Sequence, residues 1–191
     1  KARGEILSSL NKGEFDFIFS MLVEEVMGQG KSIEQNPDED YITQLLFYDR
    51  ASVIVRPDHP VFKSDKNVLE NLSNYSWVLP RSNSDQRLYI NNFFAQTGLS
   101  LPKISVECQT LPYLKNLVSK SDLVGIMTTN TICVEEQFGL IKSIPIPRAK
   151  NVVQIGVKYR ADRPISKYAK SMIQQMILVC QEMKPTMSDR L

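Results

Sequence analysis

The stretch Phe47-Tyr48-Asp49-Arg50-Ala51-Ser52-Val53-Ile54-Val55-Arg56-Pro57-Asp58-His59-Pro60 constrains this chain more than any other. A β-branched run enters Pro-x-x-Pro, and proline fixes φ and offers no N–H to a ladder, so the strand stops and the chain leaves in a new direction. Much later, Asn151-Val152-Val153-Gln154-Ile155-Gly156-Val157-Lys158-Tyr159-Arg160 has the same extended character. Two such crossings around a middle block of strands and helices predict an α/β chain of two Rossmann-like lobes. The lobes are joined by two crossing strands, with a cleft between them. On this reading residues 1–55 and 153–184 form lobe I and 56–152 form lobe II.

A length of 191 residues suits one domain or one bilobal unit. With 42% hydrophobic residues and a net charge of +2, nothing in bulk composition points to nucleic acid or to a charged tail. The apolar runs are too short for a membrane helix and no charged-then-apolar leader opens the chain, so a soluble, cytoplasmic protein without a membrane partner is expected. Cys108, Cys133 and Cys180 are odd in number and far apart, which suits reduced, packed thiols. Because the chain opens on Lys1 and enters a helix within a few residues, it is expected to be a fragment.

Ile6, Leu7 and Leu10 predict a helix over 4–12, ended by a left-handed Gly13. Phe15–Ser20 reads as a strand, the acidic segment Glu24–Asp40 as a solvated loop or marginal helix, and Tyr41–Phe47 as a strand feeding the first crossing. A brief helix follows at Val68–Leu72. Then come three strand and helix units: Ser76–Pro80 with a helix capped by Ser82 and Asp85, Ile104–Cys108 with a helix from Thr110, and Leu123–Met127 with a helix over 130–138. These predict a parallel sheet flanked by helices. In the second helix Leu111, Leu114, Leu117 and Val118 share a face. Ser166 opens a long helix whose buried stripe is expected to hold Tyr168, Ala169, Met172, Ile173, Met176, Ile177 and Cys180, with a frayed tail from Lys184.

An ordered set of words now stands out: Leu7-x-x-Leu10-x-x-Gly13-Glu14-Phe15-Asp16-Phe17-Ile18, Val55-Arg56-Pro57-Asp58-His59-Pro60, Trp77-Val78-Leu79-Pro80, and Leu117-Val118-x-x-Ser121-Asp122 with Gly125-Ile126 after it. From about Leu7 to Gln181 the chain resembles the effector-binding domain of LysR-type transcriptional regulators. The resemblance implies a fold like the type II periplasmic binding proteins, with a small-molecule effector held between the lobes and no catalysis. It implies a homodimer or homotetramer built by head-to-tail pairing, and contact with DNA only through an N-terminal winged helix-turn-helix that this sequence lacks. The family's opening strand, helix and strand are also missing here, so lobe I is expected to be incomplete at its N-terminus. Two rival readings use related architecture: the solute-binding protein of a transporter, and an enzyme on a bilobal fold.

In such a fold, ligands gather where strand C-termini meet helix N-termini, because free backbone N–H groups there attract polar and anionic groups. The candidate ligand-binding residues are Ser20 and Met21 after the first strand, Arg81, Ser82, Asn83 and Ser84 between strand and helix, Cys108 and Thr110 with Gln109 between them, and Thr128 and Thr129. Each hydroxyl is equally a candidate helix cap. The helix starts with Arg81 or Arg87 favour an anionic or polar metabolite.

No metal or cofactor site is expected. His59 is the single histidine and, between Asp58 and Pro60, is expected as a surface turn residue. Without a second histidine or a paired-cysteine motif there is no zinc or triad pattern. Gly28-Gln29-Gly30-Lys31-Ser32 imitates a phosphate loop but has Glu25 where the first glycine belongs. Ser9-x-x-Lys12 and Ser100-x-x-Lys103 lack the Lys-Thr-Gly that accompanies that spacing in hydrolases. Glu24-Glu25 and Glu135-Glu136 are adjacent, so their carboxylates diverge rather than pair as acid and base.

Overall fold

The computed structural model describes residues 3–22, 33–35, 40–63, 68–97, 102–144 and 152–188. In chain order the elements are α1 (Arg3–Lys12), β1 (Ile18–Met21), β2 (Ile33–Gln35), β3 (Tyr41–Val55), α2 (Val68–Asn71), β4 (Ser76–Leu79), α3 (Asp85–Thr97), β5 (Lys103–Glu107), α4 (Leu111–Ser119), β6 (Gly125–Thr128), α5 (Thr129–Gln137), β7 (Lys142–Ile144), β8 (Val152–Arg160) and α6 (Lys167–Ser188). Single 3-10 turns occupy Pro60–Lys63 and Leu72–Asn74. The chain divides into unit 1, Lys1–Tyr48 with Gln154–Leu191, and unit 2, Asp49–Val153. The long strand β3 and the strand β8 each carry the backbone from one unit into the other.

In unit 1, α1 ends at Gly13, whose φ of 75° is the left-handed cap the sequence predicts. Gly13 N–H donates to Leu10 O at 3.0 Å and Glu14 N–H to Ser9 O at 2.9 Å, so two carbonyls at the helix end are satisfied. The expected strand at Phe15–Ser20 is corrected to β1, Ile18–Met21. The residues before it do other work. The Asp16 carboxylate accepts from the Ser166 hydroxyl at 3.2 Å and its N–H at 3.4 Å, and Phe17 packs on the core.

The segment read as a solvated loop or marginal helix, Glu24–Asp40, contains β2, which pairs antiparallel with β3 from Ile33↔Gln44 to Gln35↔Ile42. A short strand can join a sheet through its backbone whatever its side-chain pattern, which is why periodicity passes over it. Residues 24–32 and 36–39 of that segment lie outside the described residues. β1 pairs antiparallel with β8, from Ile18↔Lys158 to Met21↔Ile155, and β8 lies beside β3. That neighbour sets a limit at Gly156, where a Cβ would come within 2.4 Å of the Gln44 carbonyl oxygen.

Leu46, Val157, Ile173 and Cys180 form the buried core of unit 1, with Phe17, Phe47, Tyr159, Ile165, Met176 and Ile177 packed against it. Each fully buried aliphatic side chain of this kind contributes about 1.5–3 kcal/mol. Ser166 caps α6 as predicted, its Oγ accepting from Ala169 N–H at 3.1 Å. The buried stripe is narrower than expected: Tyr168 is 86% exposed and Met172 57%. Ala169, Ile173, Met176, Ile177 and Cys180 already fill the helix's inward arc, so the residues beside it face solvent. The helix backbone also continues through Ser188, past the point where the sequence suggests fraying.

In unit 2 the second half of β3 is central. Ala51, Ser52, Val53, Ile54 and Val55 are all buried, because β3 pairs antiparallel with β6 (Ala51↔Thr128 to Ile54↔Gly125) and with β7 (Val53↔Ile144 to Val55↔Lys142). A strand covered on both faces reads as a continuous apolar run, as here, and not as an alternating one. β7 carries no such run and escapes sequence reading. Ser143, in its middle, gives both its N–H and its hydroxyl to Glu136 Oε1.

β4 and β5 are parallel, and Val124, just before β6, bridges Trp77 in parallel, with Val78 N–H to Val124 O and Val124 N–H to Ser76 O both at 2.9 Å. The three predicted strands are therefore parallel to one another; β3 runs against them, and β7, on β3, runs in their direction, so the sheet is mixed. The core gathers Ile54, Val78, Leu114, Val118, Met127, Ile132 and Ile141. On the α4 face, Leu114 and Val118 are buried and Leu117 packs beside them, but Leu111 is 36% exposed because it sits in the helix's opening turn, at its outer end.

His59 corrects the sequence reading most sharply. It is wholly buried, not a surface residue. Its Nδ1 accepts from Val61 N–H at 3.0 Å, its Nε2 lies 3.2 Å from the Asp122 carbonyl oxygen, and its ring meets Tyr75 edge-on at 4.6 Å. A nitrogen that accepts a backbone N–H cannot hold a proton, so the ring is the neutral Nε2–H tautomer. Burial, outweighing the favourable Asp122 contact, holds its pKa below the ordinary histidine value. Outside it, Arg56 pairs with Asp122 at 2.8 Å and with Asp58, so the first crossing is tied to the α4–β6 turn.

Candidate functional site

The topology of unit 2 brings several chain reversals to one edge. β4 and β5 are parallel, and β6 follows a residue that bridges β4 in parallel, so all three C-terminal ends face the same way. Each is followed by a helix: α3 after β4, α4 after β5, α5 after β6. Cys108 N–H donates to Leu79 O at 2.9 Å and ties two of the strand ends together. Antiparallel β3 enters at this edge, since Ala51 lies opposite Thr128, and it brings Asp49 and Arg50 with it. Such an edge is where open α/β sheets hold ligands.

At the β4 end, Arg81, Ser82 and Asn83 are exposed and Ser84 is half-buried. The cap of α3 is Ser84, not Ser82, because Ser84 immediately precedes the first helical residue. Its Oγ accepts from Arg87 N–H at 3.2 Å while its own N–H and hydroxyl donate to Arg81 O at 3.1 and 2.8 Å. Ser84 is thus committed, and Arg81, Ser82 and Asn83 are the residues left facing solvent.

At the β5 end, Cys108 Sγ lies 3.5 Å from Thr110 O, and Gln109 and Thr110 are exposed. Thr110 precedes α4 in an extended conformation, and its hydroxyl makes no capping bond. At the β6 end, the Thr128 and Thr131 hydroxyls share a 2.8 Å bond and the Thr129 hydroxyl donates to Arg50 O at 3.1 Å. In unit 1, Ser20 and Met21 are half-buried ladder residues inside β1, opposite Gly156 and Ile155, and not in a loop beyond the strand.

Arg87 is no free cation. It is buried, with Nη1 donating to Pro80 O at 2.8 Å and to Glu107 Oε1 at 3.2 Å, and Nε to Asn91 Oδ1 at 3.3 Å. It fastens α3 to the ends of β4 and β5, which leaves Arg81 as the cation named in the sequence reading that is open to an anion. Lys115 and Glu135, 2.8 Å apart, link α4 to α5 in the same way, and that bond holds the Glu135 carboxyl below its ordinary pKa.

Asp49 and Tyr89 were not singled out from the sequence. Asp49 is only 3% exposed, and its Oδ1 accepts from Arg50 N–H at 2.7 Å and Asn130 N–H at 3.4 Å. Asn130 lies in the first turn of α5, so a carboxylate of the chain itself already occupies that positive helix end. The Tyr89 hydroxyl is buried and has no hydrogen-bond partner among the described residues. Burial, with a smaller contribution from the Asp49 charge, pushes its pKa up to about 12. The one signal in the sequence was a charged pair, Asp49-Arg50, set between apolar residues of a strand. Among the described residues no group of three or more His, Cys, Asp or Glu side chains is placed to hold a metal ion, and no helix is long and apolar enough to cross a membrane.

Comparison with known proteins gives a consistent result. The family profile described as LysR substrate binding domain matches residues 1–181. Among curated proteins, the chain is similar to the HTH-type transcriptional regulator GalR of Pseudomonas putida, 26% identical over 122 residues, covering 64% of this chain and 30% of GalR. It is also similar to the regulator PcaQ of Agrobacterium fabrum, 20% identical over 157 residues, covering 82% of this chain and 47% of PcaQ. The chain thus spans less than half the length of these relatives. Among solved structures, the effector-binding domain of QuiR in complex with shikimate superposes with a TM-score of 0.73 at 21% identity, covering 95% of this chain and 79% of that one. The regulatory domain of CcmR from Synechocystis PCC6803 in complex with 2-PG gives 0.74 at 16%, covering 96% and 82%. At these identities the likeness carries the fold: two α/β lobes of the periplasmic-binding-protein kind.

Proposed function

Because this chain belongs to the LysR substrate-binding domain family, we propose that it is the ligand-sensing part of a transcriptional regulator, with units 1 and 2 as the family's two lobes. The effector is a small polar or anionic metabolite. It is held along the strand-end edge of unit 2 by Arg81, Ser82, Asn83, Gln109, Thr110, Thr128 and Thr129, with Cys108 and Ser84 positioning that edge. The observation that carries this reading is the convergence of three strand ends and three helix starts on one edge, with the exposed hydroxyls and the Arg81 guanidinium left uncommitted there.

The family is one of transcriptional regulators and not of enzymes, and the curated relatives named above carry that description. This favours a sensor over a transporter's solute receptor or a bilobal enzyme. QuiR binds shikimate and CcmR binds 2-PG, both small and acidic, which supports an acidic effector here. Effector binding controls transcription by its differential affinity for two arrangements of the regulator, a coupling of about 1–3 kcal/mol in typical cases. The regulator acts in the cytoplasm as a dimer or tetramer, and DNA is contacted by a region outside this chain. A thermal-shift screen of metabolites tests the ligand class: polar or anionic compounds raise the melting temperature saturably, and a rise produced only by uncharged apolar compounds refutes the reading.

A further inference from the structure

Among the described residues, Arg50, Arg56, Arg87 and Arg160 are the arginines that are buried or half-buried. Three of them hold carboxylates: Arg56 pairs with Asp58 and Asp122, Arg87 with Glu107, and Arg160 with Asp40 and Asp162. Arg50 holds none. Its N–H donates to Asp49 Oδ1 at 2.7 Å and its carbonyl accepts from the Thr129 hydroxyl at 3.1 Å, but among the described residues its guanidinium makes no ion pair or hydrogen bond. A charge drawn partly out of water is costly to keep without a partner. Asp49 is not that partner. Successive strand residues point to opposite faces of a sheet, and the Asp49 carboxylate is already bonded to the N–H groups of Arg50 and Asn130.

Strand register fixes where Arg50 stands. Ala51 lies opposite Thr128, so Arg50 is the next residue along β3, at the edge where β6 ends and α5 begins. On the far side of β6, Trp77 of β4 bridges Val124, and four residues on from each, Arg81 comes level with Thr128. Arg50 and Arg81 thus leave the sheet at the same end, with only β6 between their strands. Adjacent strands are about 4.8 Å apart, so the two backbones are separated by roughly 10 Å. Arg81 is exposed and, among the described residues, is bonded only through its carbonyl, which accepts from Ser84. Two guanidinium groups therefore flank the Thr128–Thr129 turn, and no carboxylate of the protein is paired with either. One carboxylate fills the fork of one arginine, so a ligand with a single acid group leaves the other cation as it was.

Resting on the sensor reading above, we infer that Arg50 is a second acid-binding residue of this edge and that the effector is a dicarboxylic acid, one carboxylate on Arg81 and the other on Arg50. Arg50 then sets specificity. It favours a diacid over the monoacid of the same length, in which its guanidinium stays unpaired.

The test uses the intact regulator and matched probes: succinate, glutarate and adipate against butyrate, pentanoate and hexanoate, and the three benzenedicarboxylates against benzoate. Affinities are measured calorimetrically for the wild type, Arg50→Gln, Arg50→Lys and Arg81→Gln. The inference predicts that at least one diacid binds about ten- to a hundredfold tighter than its monoacid. Arg50→Gln and Arg81→Gln each abolish that preference, Arg50→Lys keeps part of it, and the monoacid's affinity changes less than about threefold in Arg50→Gln. Melting temperatures without ligand give an independent reading: Arg50→Gln removes an unpaired charge, so its melting temperature equals or exceeds that of the wild type. A monoacid that binds as tightly as every diacid, a preference that survives Arg50→Gln, or a fall in the ligand-free melting temperature of Arg50→Gln overturns the inference and leaves the sensor reading standing. Failure of every acid to bind the wild type overturns both.

Discussion

Replacing His59 tests how the first crossing is anchored. In His59→Leu, Val61 N–H loses its acceptor in a buried setting, at about 1–3 kcal/mol. The Asp122 carbonyl loses a donor, about 1 kcal/mol, and the edge contact with Tyr75 adds roughly 0.5–1 kcal/mol. The expected loss is about 3–4 kcal/mol, or roughly 6–15 °C in melting temperature for a chain of this size. His59→Asn keeps an acceptor for Val61 N–H and should lose about half as much. The pH dependence has a definite sign. The folded pKa lies below the unfolded value near 6.5, so the folded state binds fewer protons between the two. Stability is therefore full above about pH 6.5 and falls as pH drops toward the folded pKa, by up to about 1.4 kcal/mol per pH unit. Urea unfolding of wild type and His59→Leu at several pH values isolates this contribution, because only the wild type should show it. As the single histidine, His59 also gives one unambiguous ring-proton resonance. Equal acid slopes in the two proteins, or a resonance titrating at or above 6.5 in the folded state, would refute the buried neutral ring.

Other perturbations follow from the same contacts. Gly156→Ala places a methyl group against the Gln44 carbonyl, a backbone atom that cannot yield without parting β3 from β8; a loss of about 2–4 kcal/mol is expected by urea denaturation. Arg87→Met removes the donor from the Pro80 carbonyl and from Glu107, and should cost about 2–3 kcal/mol while leaving the exposed Arg81 side chain in place, so stability falls more than affinity for an acidic ligand. Lys115→Met should cost about 1 kcal/mol at neutral pH. Because the Lys115 bond depresses the Glu135 pKa, that difference is present above about pH 4.5 and vanishes as pH falls through the folded value, which denaturation at pH 7 and pH 3 resolves.

The long-period patterns were legible in the sequence. The Pro-x-x-Pro stop after Val53-Ile54-Val55, the left-handed Gly13 and the Ser166 cap each depend on a local rule that the surrounding fold does not override. What local rules could not show was burial set by distant residues. His59 looks like a turn residue until Tyr75 and Asp122, far along the chain, close over it. Tyr168 and Met172 fit the helical period but fall beside a stripe that five other residues already fill. β2 and β7 are three residues each, too short to carry a period. At the candidate site, the residues around the three helix starts were found from strand-to-helix punctuation, whereas Asp49 and Tyr89 were not. A charged residue inside a strand becomes informative only once its antiparallel partner places it at the end of α5.

The central claim is that this chain senses a small polar acid along the strand-end edge of unit 2. The most direct test is to follow backbone amide resonances of the intact regulator while titrating the metabolite that most raises its melting temperature. The account predicts saturable shifts at residues 81–84, 108–110 and 128–130. Saturable shifts confined to unit 1, or melting temperatures unmoved by any small polar acid, would contradict it.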